Sequence, residues 1–158
     1  MLVLRSLLWT ILLPGVVAGY IPWRFLGVSH VDLDIADPLD LLGLLLIVAG
    51  LALLIACIWE FAARGKGTLS PVDPPRVLVV QGLYRYVRNP MYLAVSTILL
   101  GEALLARSGT LLLYWGIFFA IVNIFVMFYE EPALRRQFGD SYTQYQRRVG
   151  RWLPRIGS

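Results

Sequence analysis

A continuous apolar run covers residues 39–61, and its only charged residues, Asp40 and Glu60, stand near its two ends. As an α-helix this run would be about 34 Å long, and the hydrocarbon core of a bilayer is about 30 Å thick. The whole chain is similar in character, because 58% of its residues are hydrophobic and 15% are charged, whereas a soluble domain has about 25% charged residues. The sequence therefore predicts an all-α, polytopic membrane protein with a single domain over residues 1–158.

Three further apolar segments extend this prediction to about four transmembrane helices, over residues 2–21, 39–61, 91–106 and 111–129. The short polar break between the last two predicts a tight helical hairpin. For the first segment an alternative stays open. Arg5, the apolar run after it and the small residues near its end are also typical of a cleaved signal peptide.

The distribution of cations predicts the orientation, because cytoplasmic loops of membrane proteins retain Arg and Lys. If both termini and the connector over residues 62–89 face the cytoplasm, only Arg24 and Arg107 of the 14 cations lie on the other side. Residues 130–158 then form a cytoplasmic tail. The net charge of +4 is explained by this topology and by attraction to anionic membrane lipids, and it does not indicate nucleic-acid binding.

The stretch over residues 81–92 is the first candidate site. Asn89 and Pro90 are typical of a helix N-cap and first helical residue, with the Asn side chain accepting a backbone hydrogen bond. The start of this helix could bind an anionic group together with Arg85 and Arg88. The alternative is an interfacial anchor made of Tyr and Arg side chains.

The second candidate site is the sequence Glu130-Glu131-Pro132 at the end of the last apolar segment. Two carboxylates beside hydrocarbon require water, a cation or hydrogen-bond donors, so they indicate a functional site. The alternative is that they only separate two helices. Asn123, two helical turns earlier on the same face, is expected to line the same cavity.

The tail is expected to fold as helices. A first helix should stop at Gly139, and Asp140 or Ser141 should cap a second one that buries Tyr142, Tyr145 and Val149. The remaining polar side chains are expected mostly on the opposite face: Gln144, Arg147, Arg148 and Arg151. Such an amphipathic element could lie on the membrane or roof a site.

The sequence predicts no metal site. It has one histidine, His30, and one cysteine, Cys57, in separate segments, which excludes a histidine-based cluster. Cys57 is interpreted as a packing residue. Glu102, inside the third apolar segment, is either a cavity group or a helix-packing group.

Three groups of residues in the second half of the chain follow a familiar order. They are residues 82–92, the pair Glu130-Glu131, and a tail pattern of Phe138, Gly139, Tyr142, Tyr145, Arg148, Val149 and Pro154. This order resembles the isoprenylcysteine carboxyl methyltransferase family and the related phospholipid N-methyltransferases of membranes. The end of the chain is also similar to that of NADPH-dependent sterol reductases, which are much longer proteins.

The resemblance implies an S-adenosylmethionine-dependent methyltransferase with its cofactor at the cytoplasmic face, surrounded by membrane lipid. It implies catalytic roles for Arg88, Glu130 and Glu131. Cofactor binding is implied for a wider set: Gln81, Leu83, Tyr84, Arg88, Asn89, Pro90, Tyr92, Glu130, Glu131, Tyr142 and Tyr145. A glutamate would hold the ammonium or ribose hydroxyls of the cofactor, Arg88 its carboxylate, and the tyrosines its adenine or sulfonium.

This chain departs from the family at two points. Asn89 stands where the family has histidine, and Val126 and Met127 occupy the turn where the eukaryotic prenylcysteine enzymes carry a basic residue. Asn89 suits hydrogen bonding but not proton transfer. A lipophilic or lipidated acceptor with a carboxylate, which needs no base, is therefore favoured over a phospholipid amine, which stays an open alternative.

Two non-enzymatic interpretations also stay open. A four-span proton-coupled transporter is expected to carry an essential carboxylate in its first span, but residues 1–20 contain no acid. A structural or assembly factor would use the Tyr and Arg cluster only as an anchor. The sequence indicates no oligomeric state.

Overall fold

The computed structural model of the chain describes residues 14–25, 31, 33–64 and 78–155, with the backbone alone for residues 61–64. Its α-helices are α1 (Ile21–Phe25), α2 (Pro38–Arg64), α3 (Pro90–Leu105), α4 (Gly109–Phe125), α5 (Glu131–Phe138) and α6 (Asp140–Arg148). Two π-helical segments, Val16–Tyr20 and Val126–Glu130, precede α1 and α5, and a 3₁₀ turn spans Gly82–Arg85. These residues include no strand, only an isolated bridge between Val87 and Gly150, which confirms the all-α class for them.

Two helices in the described part of the chain are long and apolar enough to cross a membrane, Pro38–Glu60 and Gly109–Phe138. They confirm helices at the predicted segments 39–61 and 111–129. Large apolar side chains lie on their outer surfaces, and Trp59 and Phe128 are each 73% exposed. Such a surface requires an apolar solvent, so these helices are suited to lipid.

The predicted third segment is confirmed as helix α3, which packs beside α2 and α4. Its 16 residues extend about 24 Å, less than the thickness of a hydrocarbon core. Of the predicted first segment, residues 2–13 lie outside the described part of the chain, and residues 14–21 are helical. Of the predicted connector over residues 62–89, residues 65–77 also lie outside it.

Helices α2 and α3 approach closely because three glycines lie at their interface. A Cβ atom on Gly43 would lie 2.9 Å from the Gly101 carbonyl oxygen, and one on Gly101 would lie 2.6 Å from the Gly43 carbonyl oxygen. A Cβ atom on Gly50 would lie 2.6 Å from Cγ1 of Ile98. Small residues that let two backbones meet are the usual basis of helix association in membranes.

Helices α3 and α4 form the predicted hairpin. The turn between them places Arg107 at φ 46°, and the Ser108 hydroxyl accepts a hydrogen bond from the backbone N–H of Leu111 at 3.3 Å. Further along the pair, the indole N–H of Trp115 donates to the Ser96 hydroxyl at 2.8 Å. This bond satisfies two polar groups inside the bundle, where an unpaired group would be costly.

Arg107 also fixes this hairpin to the start of α2. Its guanidinium contacts the carboxylates of Asp37 and Asp40, and Asp40 is 3% exposed. The backbone N–H of Leu39 and the Arg107 guanidinium hold the pKa of Asp37 below its usual value. The N-terminus of α2 and the α3–α4 turn therefore lie at the same end of the bundle.

The last apolar helix does not end at the two glutamates. From Gly109 the chain stays helical through the π segment to Phe138, about 45 Å in all. It stops at Gly139, as predicted, where φ 52° and ψ −125° describe a conformation almost restricted to glycine. A polar extension of the helix thus projects beyond its apolar part.

Helix α6 confirms the predicted inward face. Tyr142, Tyr145 and Val149 are buried and pack against Leu134 and Phe138, as well as Leu78. The predicted cap by Asp140 or Ser141 is wrong, because the N-cap position is Gly139 and no side chain caps the helix. Gly139 is the single residue between α5 and α6, and it has no side chain that could cap the helix.

The glycine contacts at the α2–α3 interface predict a clear stability difference. Replacing Gly50 with Ile should destabilise the protein by about 1–3 kcal/mol, since the new side chain must displace Ile98 and backbone atoms of α3. Gly116→Ile in α4 is the matched control, because a Cβ atom there meets nothing within 4 Å. Thermal unfolding of the full chain in detergent measures both. Equal losses would show that helix propensity, and not packing, causes the effect.

Candidate functional site

The site begins where the chain enters α3. The 3₁₀ turn starts at Gly82, whose φ of 59° favours glycine, and a Cβ atom there would lie 2.4 Å from Oε1 of Glu60. After this turn Val87 bridges to Gly150, and the backbone N–H of Arg88 donates to the Gly150 carbonyl at 2.9 Å. The end of α2, the start of α3 and the C-terminal segment therefore meet at one place.

The Glu131 carboxylate lies at the centre of this meeting point. Its Oε1 atom is 2.9 Å from Nη1 of Arg88 and 2.8 Å from Nε of Arg151. Its Oε2 atom accepts hydrogen bonds from Nη2 of Arg151 at 2.9 Å and from the amide of Gln146 at 3.2 Å. The side chains of Arg88 and Glu131 are 9% and 11% exposed, so this is a largely buried, fully engaged carboxylate.

Glu130 has a different environment. Its Oε2 atom accepts a hydrogen bond from the Tyr92 hydroxyl at 3.1 Å, and among the described residues no guanidinium or ammonium lies within ion-pair distance of it. The π segment Val126–Glu130 ends between the two glutamates. The structure thus distinguishes two adjacent carboxylates, one held by two arginines and one held by a neutral phenol.

Arg88 has unused hydrogen-bonding capacity. Its Nε and Nη1 atoms are buried and have no hydrogen-bond acceptor within the described ranges, although Nη1 is within ion-pair distance of Glu131. Buried donors of this kind are costly unless a partner satisfies them. A carboxylate or phosphate of a ligand fits this guanidinium.

Three buried tyrosines surround the charged groups. Tyr84 and Tyr145 are each 8% exposed and Tyr142 is 2% exposed, and the Tyr145 hydroxyl donates to the Tyr84 carbonyl at 2.6 Å. Burial raises the pKa of all three phenols above the usual value. They therefore stay protonated near neutral pH and serve as neutral hydrogen-bonding and aromatic surfaces.

Asn89 stands at the predicted N-cap position of α3, with Pro90 as the first helical residue. The predicted side-chain cap is wrong, because the Asn89 side chain makes no capping bond. Its amide instead donates to the Arg151 carbonyl at 3.3 Å. The bond forms because the C-terminal segment packs beside the start of α3. The two residues are 62 positions apart, so local sequence patterns could not predict this contact.

The C-terminal segment after α6 turns back onto the bundle. Trp152 donates from its indole N–H to Oδ1 of Asn123 at 3.1 Å, and its ring centroid lies 5.2 Å from that of Phe119. Asn123 therefore holds this segment against α4. The sequence predicted that Asn123 lines the same cavity as Glu130. In the structure its amide oxygen instead accepts the hydrogen bond from Trp152.

Most of the residues predicted for the site converge in the structure. Those in contact around the two carboxylates are Tyr84, Arg88, Asn89, Tyr92, Glu130, Glu131, Tyr142 and Tyr145. Pro90 is buried at the start of α3. Gln81 and Leu83 contribute their carbonyls to the turn before it, where Gln81 is exposed and Leu83 half-buried.

Three residues at the site were not predicted from the sequence as site residues: Arg151, Gln146 and Glu60. The prediction that Arg151 lies on the polar face of the last helix is wrong, because α6 ends at Arg148 and Val149 is extended. The prediction assumed helical periodicity, which does not apply at Arg151 because the helix has already ended. The other predicted polar residues, Gln144, Arg147 and Arg148, are exposed as expected. Gln146 offered no signal beyond its polarity, and Glu60 looked like the end of a span.

Comparison with known proteins identifies the family of this chain. Two helices are long and apolar enough to span a membrane, and a buried cluster of charged side chains lies at one end of them. These features are typical of a membrane protein with a polar site at one end of its helices. Residues 39–141, about two thirds of the chain, match the family described as phospholipid methyltransferase. The chain belongs to this family, which confirms the resemblance drawn from the motifs.

Two relatives show the extent of the similarity. The chain is 35% identical over 92 residues to protein-S-isoprenylcysteine O-methyltransferase of Schizosaccharomyces pombe. The matched stretch covers 55% of this chain and 37% of that enzyme. It is 38% identical over 63 residues, 40% of this chain, to the whole of an uncharacterised protein of Haemophilus influenzae. The chain thus spans little more than a third of the length of the fission-yeast enzyme.

The contrast between the two glutamates predicts unequal effects on stability. Glu131→Gln should cost about 2–4 kcal/mol, because it leaves the buried Arg88 without a carboxylate, while Arg151 is partly exposed and loses less. Glu130→Gln is the matched control and should cost about 1 kcal/mol, since it weakens one hydrogen bond to a neutral phenol. Thermal unfolding in detergent compares them, and equal losses would contradict the assigned role of Glu131.

Proposed function

We propose that this chain is a membrane methyltransferase that uses S-adenosylmethionine and acts on a lipophilic acceptor. Membership of the phospholipid methyltransferase family supports methyl transfer, and the fission-yeast relative is named as an O-methyltransferase. The proposal is carried by two neighbouring side chains: among the described residues, the buried Nε of Arg88 has no acceptor, and Glu130 has no cation within ion-pair distance. The amino-acid end of S-adenosylmethionine presents one carboxylate and one ammonium, so the two side chains fit it.

The two glutamates then have separate tasks. Arg88 receives the cofactor carboxylate through its unpartnered Nε group, and Glu130 receives the ammonium. Glu131, already bound by Arg88, Arg151 and Gln146, keeps the Arg88 guanidinium in place. When bound, S-adenosylmethionine supplies an electrophilic methyl group on a sulfonium.

The tyrosines supply the surroundings that such a transfer needs. In-line displacement requires alignment of donor and acceptor and the exclusion of water. Tyr84, Tyr142 and Tyr145 are buried and neutral, so they exclude water without adding charge. Their aromatic faces also attract a sulfonium through cation–π interaction.

The protonation states favour an acceptor that needs no general base. The three phenols stay protonated near neutral pH, and Asn89 cannot take a proton. A carboxylate acceptor is already ionised, whereas an amine must lose a proton first. We therefore favour carboxyl methylation, with methylation of a phospholipid amine as the alternative that the family description supports.

We further propose four transmembrane helices with both termini and the site at the cytoplasmic face. The Arg107 contacts with Asp37 and Asp40 lie at the end of the bundle opposite the site. This separation supports the cation distribution on which the orientation depends. The acceptor would then reach the site sideways from the bilayer, between the last two apolar helices.

The first test is transfer of a labelled methyl group from S-adenosylmethionine in membranes that contain the full chain. We expect label in the lipid or lipidated-protein fraction, and a base-labile label if the product is a methyl ester. Methylated amines keep their label in base. Glu130→Gln should reduce transfer at least about tenfold, equivalent to about 1.4 kcal/mol, because the ammonium loses its anionic partner.

Asp140→Asn is the matched control for this test. It removes one carboxylate from an exposed position at the start of α6 and should leave transfer unchanged. Binding of S-adenosylmethionine, measured by titration, separates the remaining possibilities. Binding without transfer would mean that the acceptor is missing from the membranes, and the absence of both would refute the proposed function in favour of a transporter or an assembly factor.

A further inference from the structure

A cleft on the outer side of Glu131 is not used by the proposed transfer. It is open, has a volume of about 360 Å³, and is lined by Met127, Glu131, Pro132, Arg135 and Arg136. The two arginines project from the polar extension of the long helix. Neither belongs to the motifs that carry the family resemblance.

The two arginines differ in their contacts. Nη2 of Arg135 donates to Oε1 of Gln146 at 2.8 Å, and Gln146 in turn donates to Glu131, which orients Arg135 at the cleft. Arg136 is exposed and has no hydrogen bond or ion pair with any residue in the described part of the chain. Its guanidinium is therefore available to a ligand.

The charge around the cleft is unbalanced. Two guanidiniums line the cleft, those of Arg135 and Arg136, against one carboxylate, that of Glu131. The Glu131 carboxylate is already paired with Arg88 and Arg151. The surplus positive charge lies at Arg135 and Arg136, and an anion would neutralise it.

The cleft also has an apolar end and a polar end. The apolar part of the long helix Gly109–Phe138 covers residues 111–128 and is about 26 Å long, close to the thickness of a hydrocarbon core. Met127 lies at the end of this part, and Arg135 and Arg136 lie about 10–14 Å further along the axis. In a membrane, Met127 would lie at the edge of the hydrocarbon and the arginines among the lipid headgroups.

We propose that this cleft binds the headgroup phosphate of an anionic phospholipid. The phosphodiester lies against Arg135 and Arg136, whose planar guanidiniums match phosphate oxygens in pairs, and the glycerol and first methylenes lie along Met127. This site adjoins the proposed transfer site, with which it shares Glu131. Its ligand needs no group that can be methylated, so the inference does not depend on methyl transfer.

The test measures lipid retention by the purified full chain in neutral detergent, by native mass spectrometry and by thermal shift, with no methyl donor present. Phosphatidylglycerol is the probe, because it has a phosphodiester, a net negative charge and no amine. Arg136→Gln is the first variant, since it removes a guanidinium that has no partner in the described part of the chain. We expect it to weaken phosphatidylglycerol retention about tenfold, the effect of one lost charge-assisted hydrogen-bond pair.

Arg148→Gln is the matched control, because Arg148 is also exposed, lies near the same end of the molecule and is outside the cleft. It should leave retention within about twofold. An Arg135→Gln, Arg136→Gln double variant should abolish specific retention. Equal weakening by the control would mean general attraction of surface charge to lipid and would overturn the proposal.

Two further ligands identify the source of the phosphate. Inorganic phosphate and the water-soluble headgroup glycerophosphoglycerol should shift the unfolding temperature far less than the lipid, because they lack the apolar part that meets Met127. If either one stabilises the protein as strongly as phosphatidylglycerol does, the cleft is a site for soluble phosphate, and the lipid assignment is wrong. Equal retention of phosphatidylcholine would contradict selection for negative charge.

Discussion

The ion pairs that the buried Glu131 carboxylate makes with Arg88 and Arg151 hold the site together. A charge removed from water at the edge of an apolar bundle is stable only with charged or hydrogen-bonding partners. Arg88 provides one from the segment before α3, and Arg151 provides the other from the segment after α6. A single side chain on the long helix therefore holds two distant segments of the chain together, and the tyrosines of both segments become buried around it.

The two adjacent glutamates show how one sequence pair acquires two roles. Glu131 is saturated by arginines and Gln146, so it positions other groups. Glu130 meets only the Tyr92 hydroxyl among the described residues and keeps its capacity for a cation. The π segment before α5 shifts the helical phase at this point, and π segments within helices are common at functional sites. The proposed cofactor site uses this difference.

Helix packing and site geometry are connected through α3. Close contact of Gly43, Gly50 and Gly101 fixes α3 against α2, and Arg107 fixes the far end of the α3–α4 hairpin to the start of α2. With its axis set in this way, α3 presents Asn89 and Tyr92 to the C-terminal segment and to Glu130. The polar extension of the long helix then carries Arg135 and Arg136 past the apolar part, where the cleft joins hydrocarbon to headgroups.

Features that depend on local chemistry could be predicted from the residues alone. Apolar runs of sufficient length gave the main helices, Pro90 and Gly139 marked a helix start and a helix stop, and periodicity gave the buried face of Tyr142 and Tyr145. Three features of the site depend on long-range packing and could not be predicted in this way. They are which glutamate is paired, the bond from Asn89 to the Arg151 carbonyl in place of its own helix, and the presence of Arg151 and Gln146 in the site. The reason is that these contacts join residues far apart in the chain, and that periodicity ceases to describe side-chain directions once a helix ends, as α6 does before Arg151.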